Sequence, residues 1–100
     1  MVYFKQMNKG LEIFIWDEKR EKDNLQKHGI SFVTACRAFK DLNRKIYTDS
    51  KHSDKEERLF CIGKVDNRII TVRFTYREGK IRIFGAGYWR KGKVYYEKKD

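Results

Sequence analysis

Two hydrophobic periodicities divide this chain. Residues 18–41 carry apolar side chains at helical spacing, and beyond Asn43 polar and apolar residues alternate. The Phe14-Ile15-Trp16 segment reads as a short strand, or an extended lead-in, that stops at Asp17. Asp17 is placed to cap a polar helix over residues 18–28, with Glu18 and Glu21 in the first turns, where the helix dipole favours negative charge. Leu25 is the one strongly apolar residue of that helix, so the helix must be held by its ends and one narrow contact. Gly29 can take the left-handed position that ends it. Ser31 then caps a second helix, to about residue 41, whose Phe32, Ala35, Cys36 and Phe39 follow the i, i+3, i+4, i+7 rule and form a buried stripe.

The alternating half predicts strands over residues 44–48, 59–65, 69–76 and 81–86, with Asp66-Asn67 and Glu78-Gly79 as hairpin turns. Short connections imply antiparallel neighbours. In the third of these strands Ile70, Val72, Phe74 and Tyr76 share one face, which should pack on the helices. Ile69, Thr71, Arg73, Thr75 and Arg77 share the other, an open face joined by Arg58 and Arg82 if the register permits. The predicted class is α+β: two N-terminal helices on a mainly antiparallel β-sheet of about four strands, one domain over residues 1–100.

Charge narrows the partners. The chain holds 24 Lys and Arg against 14 Asp and Glu, a net charge of +10. Ten basic and 7 acidic residues fall in residues 1–50, against 14 and 7 in residues 51–100, so the sheet-forming half is the more basic. Such a field suits RNA, DNA, an anionic membrane surface or an acidic protein. The less favoured reading is a soluble domain whose basic balance has no specific role. No stretch resembles a signal peptide or a membrane span, which predicts a cytoplasmic protein without membrane contact. Cys36 falls on the helical stripe and Cys61 inside a strand, so both are expected as buried free thiols.

No dinucleotide fingerprint, phosphate-binding P-loop, His-Glu-x-x-His zinc site or nucleophile elbow is present. Two isolated histidines do not make a histidine-rich metal centre, so neither metal nor other cofactor is expected and any hydrolysis should be metal-independent. RNA permits that route, because its own 2′-hydroxyl can attack the adjacent phosphate, given a proton acceptor, cations and in-line alignment. Candidate groups lie in two polar blocks. Lys27 and His28 end the first helix, where the dipole favours a cation; His52, Glu57 and Arg58 precede a strand. Capping, salt bridges and core packing are the ordinary roles of such residues. Glu57 and Arg58, being adjacent, point to opposite faces unless a bulge intervenes. Trp16 and Phe32 read as core. Tyr88 and Trp89, in basic surroundings with Arg90, read as base-stacking candidates.

At these residues the chain resembles the BrnT family, the toxin half of a bacterial type II toxin–antitoxin pair. The resemblance rests on Phe14-Ile-Trp-Asp-Glu-Lys, Asn24-Leu-Gln-Lys-His-Gly-Ile-Ser-Phe32, Ala35 with Phe39 and Asp41, His52-Ser with Glu56-Glu-Arg58-Leu, Ile62-Gly63, Thr75-Tyr-Arg77 and Arg82-Ile-Phe, over roughly residues 12–86. It implies a RelE-like ribonuclease fold that blocks translation by cutting RNA. It further implies a tightly bound cognate antitoxin that supplies the DNA-binding domain, so that DNA is contacted mainly through the complex. The positions implied for the active surface are Lys27, His28, His52, Glu57, Arg58, Arg77 and Arg82. One departure stands out: where the family closes its last strand with an arginine, this chain has Gly87, and the lost phosphate contact could pass to Arg90. Gly92 weakens a helix there and Val94-Tyr95-Tyr96 favours extended structure, while the ending Tyr96-Glu97 fits the family pattern, so residues 88–97 stay open between the family's helix and a strand.

The expectation is therefore a metal-independent endoribonuclease toxin, with His28, His52, Glu57, Arg58 and Arg77 catalytic, and Lys27, Arg73, Arg82, Tyr88, Trp89 and Arg90 binding RNA. Its antitoxin should be acidic where it covers the arginine face, and its gene should lie beside this one. A non-catalytic RNA- or antitoxin-binding relative, weakened at Gly87, is the main alternative. A DNA-binding repressor using the helix hairpin is another, although that hairpin offers only Thr34, Arg37, Lys40 and Asp41 as polar reading positions.

Overall fold

A computed structural model describes residues 2–7 and 10–98, with side chains from residue 12 onward. In chain order the elements are β1 (Val2–Met7), β2 (Gly10–Ile15), α1 (Glu18–His28), α2 (Phe32–Cys36) running into a 3-10 turn (Arg37–Lys40), β3 (Lys45–Thr48), a second 3-10 turn (Ser50–His52), β4 (Leu59–Val65), β5 (Arg68–Arg77), β6 (Lys80–Gly87) and α3 (Arg90–Glu97). The sheet order is β1-β2-β6-β5-β4-β3. Every pairing is antiparallel except β2 with β6, which run parallel.

The α+β class holds, but the sheet has six strands among the described residues where about four were expected. The N-terminal hairpin is the difference: its polar–apolar alternation is short, and β2 reaches back to Gly10. The turns behave as the sequence indicates. Asp66 and Asn67 both take positive φ (50° and 66°), as a two-residue type I′ hairpin requires, and Glu78 and Gly79 do the same (53° and 76°).

Local capping accounts for α1 and α2. The Asp17 side chain accepts from Arg20 N–H at 3.0 Å, and Gly29 closes α1 at φ 70°. Ser31 Oγ accepts from Thr34 N–H at 3.1 Å. The second helix is shorter than expected: it is α-helical only to Cys36 and tightens into 3-10 geometry up to Lys40. The tightening brings the backbone of Ala38 against Gly63 of β4, an approach a Cβ at position 63 would block. Phe32, Ala35, Cys36 and Phe39 are all buried. The rings of Phe14, Phe39 and Phe74 meet edge-on at 5.3 and 5.0 Å, locking helix to sheet. Trp16 and Phe32 pack edge-to-face in the same core. Cys36 and Cys61 are buried free thiols, and burial pushes the Cys61 thiol up to about 12.

One expectation fails and one open choice is decided. Leu25 is half exposed; the contact that holds α1 is made by Asn24, which is buried and polar. The C-terminus is a helix, not a strand. Gly92 is the reason α3 can lie flat on β5, since a Cβ there would overlap the Thr71 hydroxyl. Tyr96 Oη then donates to Asp41 Oδ2, and the Tyr95 ring packs on Tyr47 at 5.0 Å. Tertiary contacts thus override the strand propensity of Val94-Tyr95-Tyr96. The sheet face predicted to be open is covered by α3 at Ile62 and Thr71, and only its remaining part is accessible.

Candidate active site

The accessible part of that face is built by β3, β4, β5 and β6. Register sets Tyr47 opposite Phe60, Phe60 opposite Arg73, and Thr75 opposite Arg82. Between Arg73 and Phe74 the β5–β6 register slips: Arg73 pairs with Gly85 and Phe74 with Ile83, so Phe84 is an extra residue on β6. Such a bulge re-aims side chains on a face without ending the sheet.

The bulge makes Phe84 an aromatic floor for arginines. The guanidinium carbons of Arg58, Arg20 and Arg82 lie 4.1, 5.5 and 6.0 Å from its ring centroid. Arg77, at the end of β5, donates to Glu56 at 3.1 Å, and Arg58 lies 3.7 Å from the same carboxylate. Arg77 is therefore engaged by a carboxylate, whereas Arg58 also stacks. Glu57 does not join this group. It is exposed and lies toward Tyr76 on the other face of β5, whose phenol is raised first by burial, then by Glu12, and least by Glu57; only the Glu57 backbone carbonyl, which accepts from Thr75 Oγ1 at 2.5 Å, is on the arginine side.

Beside the arginine cluster runs a groove of about 680 Å³ walled by Tyr47, Phe60, Trp89 and Tyr95, with His52, Asp49, Arg73 and Lys91 on its margin. His52 Nδ1 lies 2.8 Å from Asp49 Oδ2. A carboxylate only accepts, so Nδ1 carries the proton and Nε2 is left free to take or give one. The Asp49 side chain is 9% exposed and the His52 side chain 60%. The pair is pinned from behind: Asp49 N–H donates to Arg58 C=O at 2.7 Å, Ser53 Oγ donates to Asp49 C=O at 2.6 Å, and Arg58 N–H donates to Ser53 Oγ at 3.0 Å. These bonds close the loop between β3 and β4 so that an otherwise irregular segment holds one imidazole. Asp49 is the residue that sequence reading missed; the signal was the Asp-x-x-His spacing of positions 49 and 52.

Arg73 enters the groove across Gly85. A Cβ at Gly85 would lie 2.7 Å from its Nη2, so a side chain at position 85 would push the guanidinium off its present place on β6. A Cβ at Gly87 would lie 2.6 Å from the Trp89 ring, which occupies the space a side chain at position 87 would need. The Trp89 ring has Arg73 on one side, with 5.7 Å between guanidinium and centroid, and the His28 ring edge-on at 5.4 Å. His28 thus buttresses Trp89 and does not line the groove. Lys27 is exposed at the end of α1. Tyr88 and Arg90 lie beyond Trp89, outside the His52 groove. Arg90 lines a neighbouring groove, and Arg73 is the guanidinium in this one.

Among the described residues, no group of three or more His, Cys, Asp and Glu side chains is placed to hold a metal ion, and no helix is long and apolar enough to cross a membrane.

A basic sheet face with interleaved arginines and aromatic rings, and a carboxylate-held histidine at its margin, defines a small α+β domain suited to a phosphodiester chain. The family model for the ribonuclease toxin BrnT of type II toxin–antitoxin systems matches residues 16–92, and the chain belongs to that family. A search of curated proteins gives no match.

Proposed function

We propose that this protein is a metal-independent endoribonuclease toxin, a single RelE-like domain over residues 1–100 that acts in the cytoplasm, inhibits translation by cutting RNA and is silenced by a cognate antitoxin. The observation that carries the reading is the His52–Asp49 pair on the margin of the groove that also holds Arg73. In this reading His52 Nε2 takes the proton of a ribose 2′-hydroxyl as that oxygen attacks the adjacent phosphorus. Asp49 fixes the ring and stabilises the imidazolium that forms. Arg73, whose fork suits a phosphate, balances the charge that builds on the non-bridging oxygens. The P–O5′ bond breaks, the 5′-oxygen takes up a proton from water, and a 2′,3′-cyclic phosphate remains. Arg58 and Arg82, stacked over Phe84, hold flanking phosphates. Bases rest against Tyr47 and Trp89. Cleavage needs no metal in this scheme because the nucleophile belongs to the substrate.

The partner follows from the same face. An antitoxin segment of acidic composition, laid over Arg58, Arg73 and Arg82, would both exclude RNA and neutralise the charge. The antitoxin carries the DNA-binding domain in this reading. The helix hairpin of this chain is a weaker DNA reader: α2 has five residues, and Arg37 is held in a bidentate pair with Asp66 at 3.0 and 2.8 Å.

A second reading, an RNA- or antitoxin-binding relative without catalysis, draws on Gly87. It requires salt-sensitive RNA retention without strand scission. Expression without antitoxin separates the two. Growth arrest and loss of protein synthesis, both relieved by His52→Ala and by Arg73→Ala at unchanged protein level, support the nuclease. Unimpeded growth with soluble protein accumulating supports the binder.

A further inference from the structure

On the far side of Trp89 from the His52 groove lies a second groove, of about 520 Å³, lined by Lys64, Arg68, Tyr88, Arg90 and Lys93, with Asn67 and Ile69 on its wall and Glu97 as its one carboxylate. Trp89 lines both grooves. The Arg68 guanidinium stacks on the Tyr88 ring, 3.5 Å from its centroid. Among the described residues, none of Arg68, Arg90 and Lys93 is in an ion pair, and the charge of Lys64 helps to lower the Asp41 pKa. Cations outnumber carboxylates four to one along this groove, and two aromatic rings, Tyr88 and Trp89, line it.

We infer that this second groove is a nucleotide-binding subsite of the same RNA strand, so that a single-stranded substrate crosses Trp89 and is gripped on both sides of it. The inference rests on the ribonuclease reading and extends it to a substrate longer than the scissile dinucleotide. The residue chemistry favours RNA over an acidic protein. A peptide carboxylate needs cations alone, whereas here Tyr88 and Trp89 line the groove among the cations and offer ring faces on which bases can stack. Arg68 on Tyr88 is a preformed layer onto which a base can add, and Arg90 and Lys93 supply the phosphate charge. Trp89 lines both grooves, so its ring is the point at which a strand would pass from one to the other. Arg68, Arg90 and Lys93 touch nothing in the His52 site, so the subsite should govern affinity and length preference, not the chemical step.

The test uses the full chain and 2′-O-methyl oligonucleotides, which cannot be cut by 2′-attack, with binding followed by fluorescence anisotropy. The wild type is expected to bind an octamer more tightly than a tetramer. Arg90→Ala/Lys93→Ala should weaken octamer binding about tenfold, leave the tetramer unchanged, and reduce the slope of log affinity against log salt by about 1.4, two phosphate contacts on a single strand. Tyr88→Leu, which keeps every charge, should weaken the octamer while leaving the salt slope intact. Octamer binding insensitive to these substitutions, or tetramer binding weakened equally, would overturn the proposal. So would polyglutamate that binds as tightly as the octamer and loses as much on the same substitutions. Cleavage of unmodified RNA is scored separately: a wild type that binds with this length dependence yet never cuts keeps the subsite and refutes the nuclease, and one that cuts without length dependence does the reverse.

Discussion

Asn24 completes the edge of β6 at Ala86. Its amide nitrogen donates to the Ala86 carbonyl at 3.0 Å and its oxygen accepts the Ala86 N–H at 3.1 Å, so one side chain makes the bonds of a missing strand. The edge is open there because β2 pairs with β6 only at Ile81 and Arg82. The same nitrogen donates to the Ile30 carbonyl at 3.0 Å, tying the turn after α1 to the sheet. Through this contact a helix with almost no apolar face keeps Arg20 near Phe84 and His28 against Trp89.

Asn24→Leu should therefore destabilise the fold by about 2–4 kcal/mol, since it strands buried backbone groups that each cost about 1–3 kcal/mol when unpaired. Leu25→Ala, at a half-exposed position, should change stability far less. Urea midpoints of the two variants check this; equal losses would return the anchoring role to Leu25.

Gly87→Arg should lower stability and should not by itself raise activity, because the Trp89 ring fills the space at position 87. Adding Trp89→Ala should relieve the clash. Thermal melts and RNA cleavage by the single and double variants give the answer. A single variant that is as stable as the wild type would show that Trp89 moves freely.

α3 is docked by a proton-sensitive bond. Burial, together with the hydrogen bond to Asp41, pushes the Tyr96 phenol up from 10.0 to about 12. A phenol whose folded value is raised holds its full stabilisation below its unfolded value and loses it as pH climbs through the folded one. Docking should thus weaken between pH 10 and about 12. Asp41 works in the opposite direction: bonds from Tyr96, Lys64 N–H and Asn43 N–H outweigh burial and hold it below 3.8, so its contribution is full above that pH and is lost as pH falls below it. Tyr96→Phe should cost about 1 kcal/mol at neutral pH and flatten part of the alkaline loss, with the buried Cys61 thiol retaining the rest. Stability curves in urea across pH 7–12 read both effects.

Much of this architecture is legible in local chemistry. Asp17, Gly29 and Ser31 announce helix ends through caps that need no tertiary partner, and the two positive-φ turns are set by Asp66-Asn67 and Glu78-Gly79. The misses share a cause: each depends on residues far apart in sequence. Asn24 is polar and reads as solvated until Ala86 is beside it. Gly92 reads as a helix breaker until Thr71 lies beneath it. The site divides the same way. His52, Arg73 and Trp89 do share one groove, while His28, Tyr88 and Arg90 fall outside it and Glu57 lies away from the arginines, because a β-bulge and two glycines decide which side chains converge.

Asp49→Asn should keep the fold and the groove while weakening the charge-assisted bond to His52. A loss of about 1.5–3 kcal/mol at that bond corresponds to a fall in the cleavage rate of about tenfold or more, with KM little changed. Steady-state kinetics on one RNA substrate separate the two parameters. A rise in KM at constant kcat would make Asp49 a substrate contact instead of a positioning residue.

The most direct test incubates purified, antitoxin-free protein with RNA in EDTA and identifies the ends of the fragments. The wild type should cut and leave 2′,3′-cyclic phosphates, and His52→Ala should slow cutting by about 10²–10⁴-fold while circular dichroism remains that of the folded chain. Intact RNA at micromolar folded wild-type protein, or cutting by His52→Ala at the wild-type rate, would contradict the assignment of this groove as a ribonuclease active site.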